Sequence, residues 1–235
     1  MKSLRFAPLA LALALPAHAG DFTSIGALTQ GEFRRLAEDL GAATSYKGVT
    51  PATPLGLIGF DVGVEVSATD VKNTGVFNAA GAGSASTLYL PKVHLHKGLF
   101  GNLDIGGFVG ALSDLGGTVA GAEVRWAFLG DTATTPAMAV RVSGSKTLDL
   151  GSVDVDTIAA DLVVSKRLTI VTPYAGFGTV RTSAKASGTT LGEEKFNQGR
   201  GFAGVNVNFG ILNLAFEAEK LGGNTTLSAK AGWRF

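Results

Sequence analysis

His94 and His96 stand two residues apart, the spacing that puts both imidazoles on one face of a β-strand roughly 7 Å apart. Such a pair can approach one ion when a neighbouring strand adds a carboxylate, and Asp104, beyond a short turn, is the candidate third ligand. Two histidines with no further ligand motif fall short of the set a metal needs, so ordinary hydrogen bonding is expected and no metal or other cofactor is assigned. Catalysis would need a nucleophile with a base beside it. The chain has no Cys and no Gly-x-Ser-x-Gly motif, and Gly144-Ser145-Lys146-Thr147 lacks the Gly-Lys pair and the following helix of a phosphate loop. No catalytic residue and no enzymatic activity are expected.

The remaining chemistry is charge. Asp61, Glu65, Lys92, His94, His96, Asp104, Glu123, Arg125, Arg141, Asp161, Glu217, Glu219, Lys230 and Arg234 all fall on the polar side of segments that alternate polar and apolar residues. If one closed surface gathers them, isolated charges would be costly and opposite charges should pair across it. Two readings follow: an interior knitted by salt bridges and water, or a charge arrangement that selects a solute.

The elements that must hold these residues are strands. About ten dyad-patterned segments run over residues 57–68, 87–97, 102–112, 118–129, 137–145, 153–165, 168–182, 199–209, 212–220 and 224–235. In the fourth, Ala120, Ala122, Val124, Trp126 and Phe128 oppose Gly121, Glu123 and Arg125; in the last, Leu227, Ala229, Ala231, Trp233 and Phe235 oppose Ser228, Lys230, Gly232 and Arg234. The seventh is ambiguous in parity near Pro173 and Tyr174. Each segment offers one lipid-compatible face and one wet face.

Before the strands the pattern changes. Lys2 and Arg5, the apolar run Phe6–Leu15 and the site Ala17-His18-Ala19 have the layout of a cleavable secretory signal over residues 1–19. Its removal takes two of the 20 basic residues and none of the 19 acids, leaving 18 against 19, a balance that points away from nucleic acid. Residues 20–55 read as an amphipathic helix and linker. Thr29 and Glu32 fit a capping box, Phe33, Leu36, Ala37 and Leu40 share one face, Gly41 is a natural stop, and Pro51 and Pro54 break the chain. A polar interior would be a poor partner for that stripe, so the helix is expected as a periplasmic cap on the rim, with a plug entering the mouth as the alternative. Residues 56–235 carry the strands.

If the helix lies in the periplasm, the outer loops include long ones, about 69–86 and 183–198, while Lys166-Arg167 and Gly210-Ile211 are tight inner turns. The first long loop reads as mobile and without apolar anchors. Phe60, Phe100, Trp126, Phe128, Phe209, Trp233 and Phe235 then gather at the periplasmic end as one aromatic girdle at the membrane interface. Arg181, Lys185, Lys195, Arg200 and Lys220 lie near the outer rim.

The signal, the dyad strands and the closing Trp233-Arg234-Phe235 resemble a Gram-negative outer-membrane β-barrel protein, and Pro173-Tyr174-Ala175-Gly176-Phe177-Gly178 is similar to strands in small barrels of that kind. The resemblance implies an all-β, transmembrane, antiparallel up-and-down barrel of about ten strands with a short N-terminal helix. It also implies an outer-membrane location, contact with outer-membrane lipid and lipopolysaccharide, and recognition of the C-terminal strand by the barrel-assembly machinery. The role expected is a small passive pore or structural barrel. A surface-interaction protein that binds lipopolysaccharide or a partner is the alternative, and an outer-membrane hydrolase ranks below both. No solute and no oligomeric state is assigned.

Overall fold

The computed structural model describes residues 22–235, so the signal read over residues 1–19 lies outside the described residues. Helix α1 spans Gln30–Thr44, and ten strands follow: β1 Phe60–Asp70, β2 Thr87–Gly98, β3 Leu103–Ala111, β4 Thr118–Leu129, β5 Ala137–Leu148, β6 Val153–Ser165, β7 Val171–Ala186, β8 Glu194–Phe209, β9 Leu212–Leu221 and β10 Asn224–Arg234. Every strand pairs antiparallel with its sequence neighbour, and β1 closes the ring on β10 from Asp61↔Arg234 to Thr69↔Thr226. Closure leaves no sheet edge unpaired along the shared length, which is what a strand protein in lipid requires.

Two loops differ from the sequence expectation. Residues 183–186 and 194–198 belong to β7 and β8, so the connection between them shrinks to 187–193. The segment between β1 and β2 is anchored: it contains a short helix, α2 (Thr74–Ala79), which buries Val76 and Phe77. Phe77 meets Phe22 with ring centroids 6.5 Å apart, so this loop folds back over the mouth of the barrel. The apolar residues Val71, Val76 and Phe77 were the missed signal.

The larger correction concerns α1, which is no cap on the rim. It lies inside the barrel, packed against β1, β2, β5, β6, β7, β8 and β10, and every residue from Asp39 to Thr53 is buried. Its apolar stripe finds a partner because the lumen has two zones. Toward the long-loop end the inward side chains are Leu88, Leu90, Val119, Val153, Val155, Ala184 and Phe196, and these form one cluster with Phe33, Leu36, Ala37 and Leu40. Burying a residue such as Phe33 or Leu36 contributes about 1.5–3 kcal/mol, enough for several of them to fix the helix there.

The ends of α1 are built locally. The Thr29 amide and hydroxyl donate to Glu32 Oε2 at 2.8 and 2.7 Å, and the Glu32 amide donates to Thr29 Oγ1 at 3.3 Å, completing the capping box. The helix runs past Gly41 to Thr44, one turn beyond the expected stop. Gly41 is a close-approach residue, not a terminator: a Cβ there would lie 2.7 Å from Thr182 Oγ1. The C-terminal carbonyls are answered by Thr44 Oγ1 on Leu40 O (2.9 Å), Ser45 Oγ on Ala42 O (3.1 Å) and Lys47 Nζ on Ala42 O (2.6 Å).

Candidate functional site

Beyond α1 the chain continues through the lower lumen as an extended strip, Ser45–Leu55, and the charged wall closes on its backbone. Arg200 Nη1 donates to the Tyr46 carbonyl at 2.7 Å, Lys92 Nζ to Lys47 O at 3.4 Å, Arg125 Nη1 to Pro51 O at 2.9 Å, and Arg234 Nη2 to Thr53 O at 3.3 Å. Four strands thus hold four carbonyls of one peptide. Side chains add to the grip: the Tyr46 hydroxyl is 3.0 Å from His96 Nε2, Arg125 Nη1 reaches Thr50 Oγ1 at 2.5 Å, and Asp104 accepts from the Leu55 amide at 3.1 Å.

The same wall residues pair among themselves. Asp61 takes Lys230 at 2.8 Å, Arg234 at 3.1 Å and His94 Nε2 at 3.0 Å. Lys92 meets Glu65 at 2.8 Å, Arg125 meets Asp104 at 2.5 Å, and Asp161 binds both Arg141 (3.0 Å) and Arg200. Glu123 faces His96 at 3.5 Å and Arg141 at 3.9 Å, while Glu219 faces Arg200 and Lys47 at 3.6 Å each. Glu217 is buried beside them on β9.

All the residues expected to line the interior therefore converge there, with Arg234 nearest the open end. Among the described residues the strands contribute seven enclosed acidic side chains (61, 65, 104, 123, 161, 217, 219) against six enclosed Lys and Arg (92, 125, 141, 200, 230, 234), and the internal segment adds one of each, Asp39 and Lys47. A buried charge left alone costs several kcal/mol, about 3–5 when a partner is deleted, so these groups depend on the pairs they make with one another and with the strip.

Sequence reasoning missed Arg200, which was expected at the outer rim but is fully enclosed on Asp161; its inward parity with Asn206 was the available signal. It also missed Tyr46 and Lys47, whose role exists only because the strip is inside. Arg181, Lys185, Lys195 and Lys220 do stay exposed.

The strip is tightly fitted at its middle. A Cβ on Gly48 would sit 2.2 Å from Arg141 Nη1 and 3.0 Å from Glu123 Oε2, so only glycine passes that point without displacing the guanidinium. Val49 is buried with φ at 43°, a left-handed conformation that a β-branched residue adopts at a cost of about 1–3 kcal/mol. Burial of the α1 stripe offsets that strain.

The histidines bring their ligand atoms to Asp61, not to the expected Asp104: Asp61, His94 and His96 have such atoms within 4.8 Å of one another, while Asp104 is occupied by Arg125. Asp61 already answers Lys230 and Arg234, and a dication at this point would stand beside both. The arrangement works as an ion-pair hub at the foot of β1, β2 and β10.

The outside has the opposite character. Val64, Val66, Val93, Leu95, Ile105, Val109, Val124, Val140, Val142, Ile158, Phe177, Phe216 and Leu227 are exposed large apolar residues on strands whose inward neighbours are charged. That inversion, apolar outside and ionic inside, suits a barrel wetted by lipid. The fold is that of an outer-membrane β-barrel.

Of the aromatics placed in one girdle, Phe100, Trp126, Phe128, Phe209, Trp233 and Phe235 are exposed at the end of the barrel that carries the β2–β3, β4–β5 and β8–β9 turns. Phe60 is half-buried, with its ring centroid 3.9 Å from that of Phe235.

The sequence matches no protein-family model and no curated protein. Solved structures similar to the chain include the N-terminal β-barrel domain of Pseudomonas aeruginosa OprF, at 12% identity and TM-score 0.37, covering 73% of this chain and 96% of that one. The outer membrane protein OprG of Pseudomonas aeruginosa aligns at 8% identity and TM-score 0.37, covering 79% and 99%. The attachment invasion locus protein Ail of Yersinia pestis aligns at 13% identity and TM-score 0.31, covering 75% and 97%.

Proposed function

We propose that this chain is an outer-membrane protein of a Gram-negative bacterium and that it acts as a sealed structural barrel, not as a standing passive pore. The observation that carries this reading is the unbroken buried run Asp39–Thr53 inside the ring of strands, clamped by Arg200, Lys92, Arg125 and Arg234. A solute path would need that run removed, and its removal would leave four cationic side chains without their carbonyl partners. Outer-membrane lipid and lipopolysaccharide are the partners of the outer face in this reading, and the barrel-assembly machinery is the partner of the closing strand. Catalysis has no part in it, since both histidines are enclosed and engaged by Asp61 and Tyr46.

Planar-bilayer recording on refolded full-length protein tests the reading. Incorporation without steady conductance is the expected result; a stable open-channel current in most insertions would show that the lumen is not sealed.

A further inference from the structure

The plug has a direction. Its extended strip leaves the lumen at the end of the barrel that carries the short β8–β9 turn and Phe235: Leu55 bonds Asp104, and Lys97 Nζ holds the Leu57 carbonyl at 2.5 Å just before β1 begins. Its helix starts at the opposite end, which carries the long 71–86 connection and the β7–β8 connection. Gln30 exchanges hydrogen bonds with Gly192 of the β7–β8 connection (Nε2 to O 3.1 Å, amide to Oε1 2.9 Å), Arg34 stacks 3.8 Å over the Phe196 ring, and the Ser24 amide donates to Ala80 O at 3.0 Å. Phe22, Ile25 and Leu28 are buried into that mouth, while Thr23, Ser24, Gly26 and Ala27 are exposed on it. Residues 22–55 therefore cross the whole barrel once, from the long-loop mouth to the short-turn mouth.

A single crossing decides which mouth Phe22 occupies. For the N-terminal end to face the same side as Phe235, residues before Phe22 would have to pass back through a lumen already filled by α1, whose Phe33, Leu36, Ala37 and Leu40 have no exposed surface. We infer that Phe22, where the described chain enters the barrel, is presented on the cell-surface side of the membrane, so that the barrel closes around the segment that precedes its strands. This rests on the outer-membrane placement proposed above, with the end that carries the long 71–86 connection outward. Residues 23–27, together with α2 and the β7–β8 connection, then form the outward surface, and any sequence joined ahead of Phe22 is displayed there.

The absence of cysteine from the chain makes the test direct. T23C, S187C (β7–β8 connection) and A133C (β4–β5 turn), all at exposed positions, are made singly in the full-length protein and treated in intact cells with a membrane-impermeant maleimide. T23C and S187C should label to the same extent in intact cells, and A133C only after permeabilisation. Labelling of S187C but not T23C in intact cells would overturn the threading while leaving the orientation intact. Labelling of A133C but not S187C would overturn the orientation and the display with it. Silence of T23C in both conditions would contradict its exposed place at the mouth.

Discussion

Arg200 of β8 donates Nη1 to the carbonyl of Tyr46 at 2.7 Å while its other nitrogens hold Asp161 of β6. One guanidinium thus ties the plug to two strands, and removing it leaves Asp161 to Arg141 alone and the Tyr46 carbonyl without this donor. R200A should lower the stability of the folded barrel by about 3–5 kcal/mol, the usual cost of breaking a buried pair from one side. The urea midpoint of the heat-modifiable band measures this; an unchanged midpoint would mean that Arg200 does not bear on the fold.

Two glycines of the same segment should respond oppositely to alanine. At Gly48 the new Cβ meets Arg141 Nη1 at 2.2 Å, so G48A should cost about 1–3 kcal/mol of overpacking. At Gly31, inside α1 with nothing within 4 Å, G31A should stabilise by up to about 1 kcal/mol through helix propensity. Equal effects in urea titration would contradict the placement of the strip against Arg141.

Phe33 is fully enclosed in the apolar half of the lumen. F33A should cost about 3–5 kcal/mol and loosen the helix end of the plug, which bilayer recording would register as intermittent current absent from the parent protein. Loss of stability without current would place the seal in the clamped strip alone.

The capping box predicts a pH dependence. The Thr29 amide, and then its hydroxyl, hold the Glu32 carboxyl below its usual pKa of 4.5. A depressed carboxylate pKa contributes stability that is full above the ordinary value and fades as pH falls through the lowered one. The difference in urea midpoint between parent and E32Q should therefore be constant near neutrality and shrink below about pH 4.5. T29A, which removes the other half of the box, should cost about 1 kcal/mol at neutral pH.

Strand alternation made the barrel wall legible: the inward parity of Asp61, Glu65, Glu123 and Arg125 follows from period two, as does the outward parity of Val124 and Trp126. The capping box at Thr29 and Glu32 was equally local. The position of the helix was not legible in that way, because it depends on Leu88, Leu90, Val119, Val153, Val155 and Phe196 sharing the inward parity with charges lower on the same strands. Reading each strand as one polar and one apolar face concealed that apolar upper zone, and with it the natural site for Phe33 and Leu36. Pairings such as Tyr46 with His96 join residues 50 apart in sequence and carry no local signature.

One engineered pair reports whether α1 lies within the lumen. A Cβ on Gly41 would lie 3.3 Å from the Thr182 Cβ on the inner wall of β7, close to the spacing of about 3.5–4.5 Å that a disulfide spans. In a chain with no cysteine of its own, G41C/T182C should form a disulfide in the folded protein, read as loss of both free thiols and a reducible shift in gel mobility. Two free thiols that react readily with a maleimide in the folded barrel would show that the helix is not inside it.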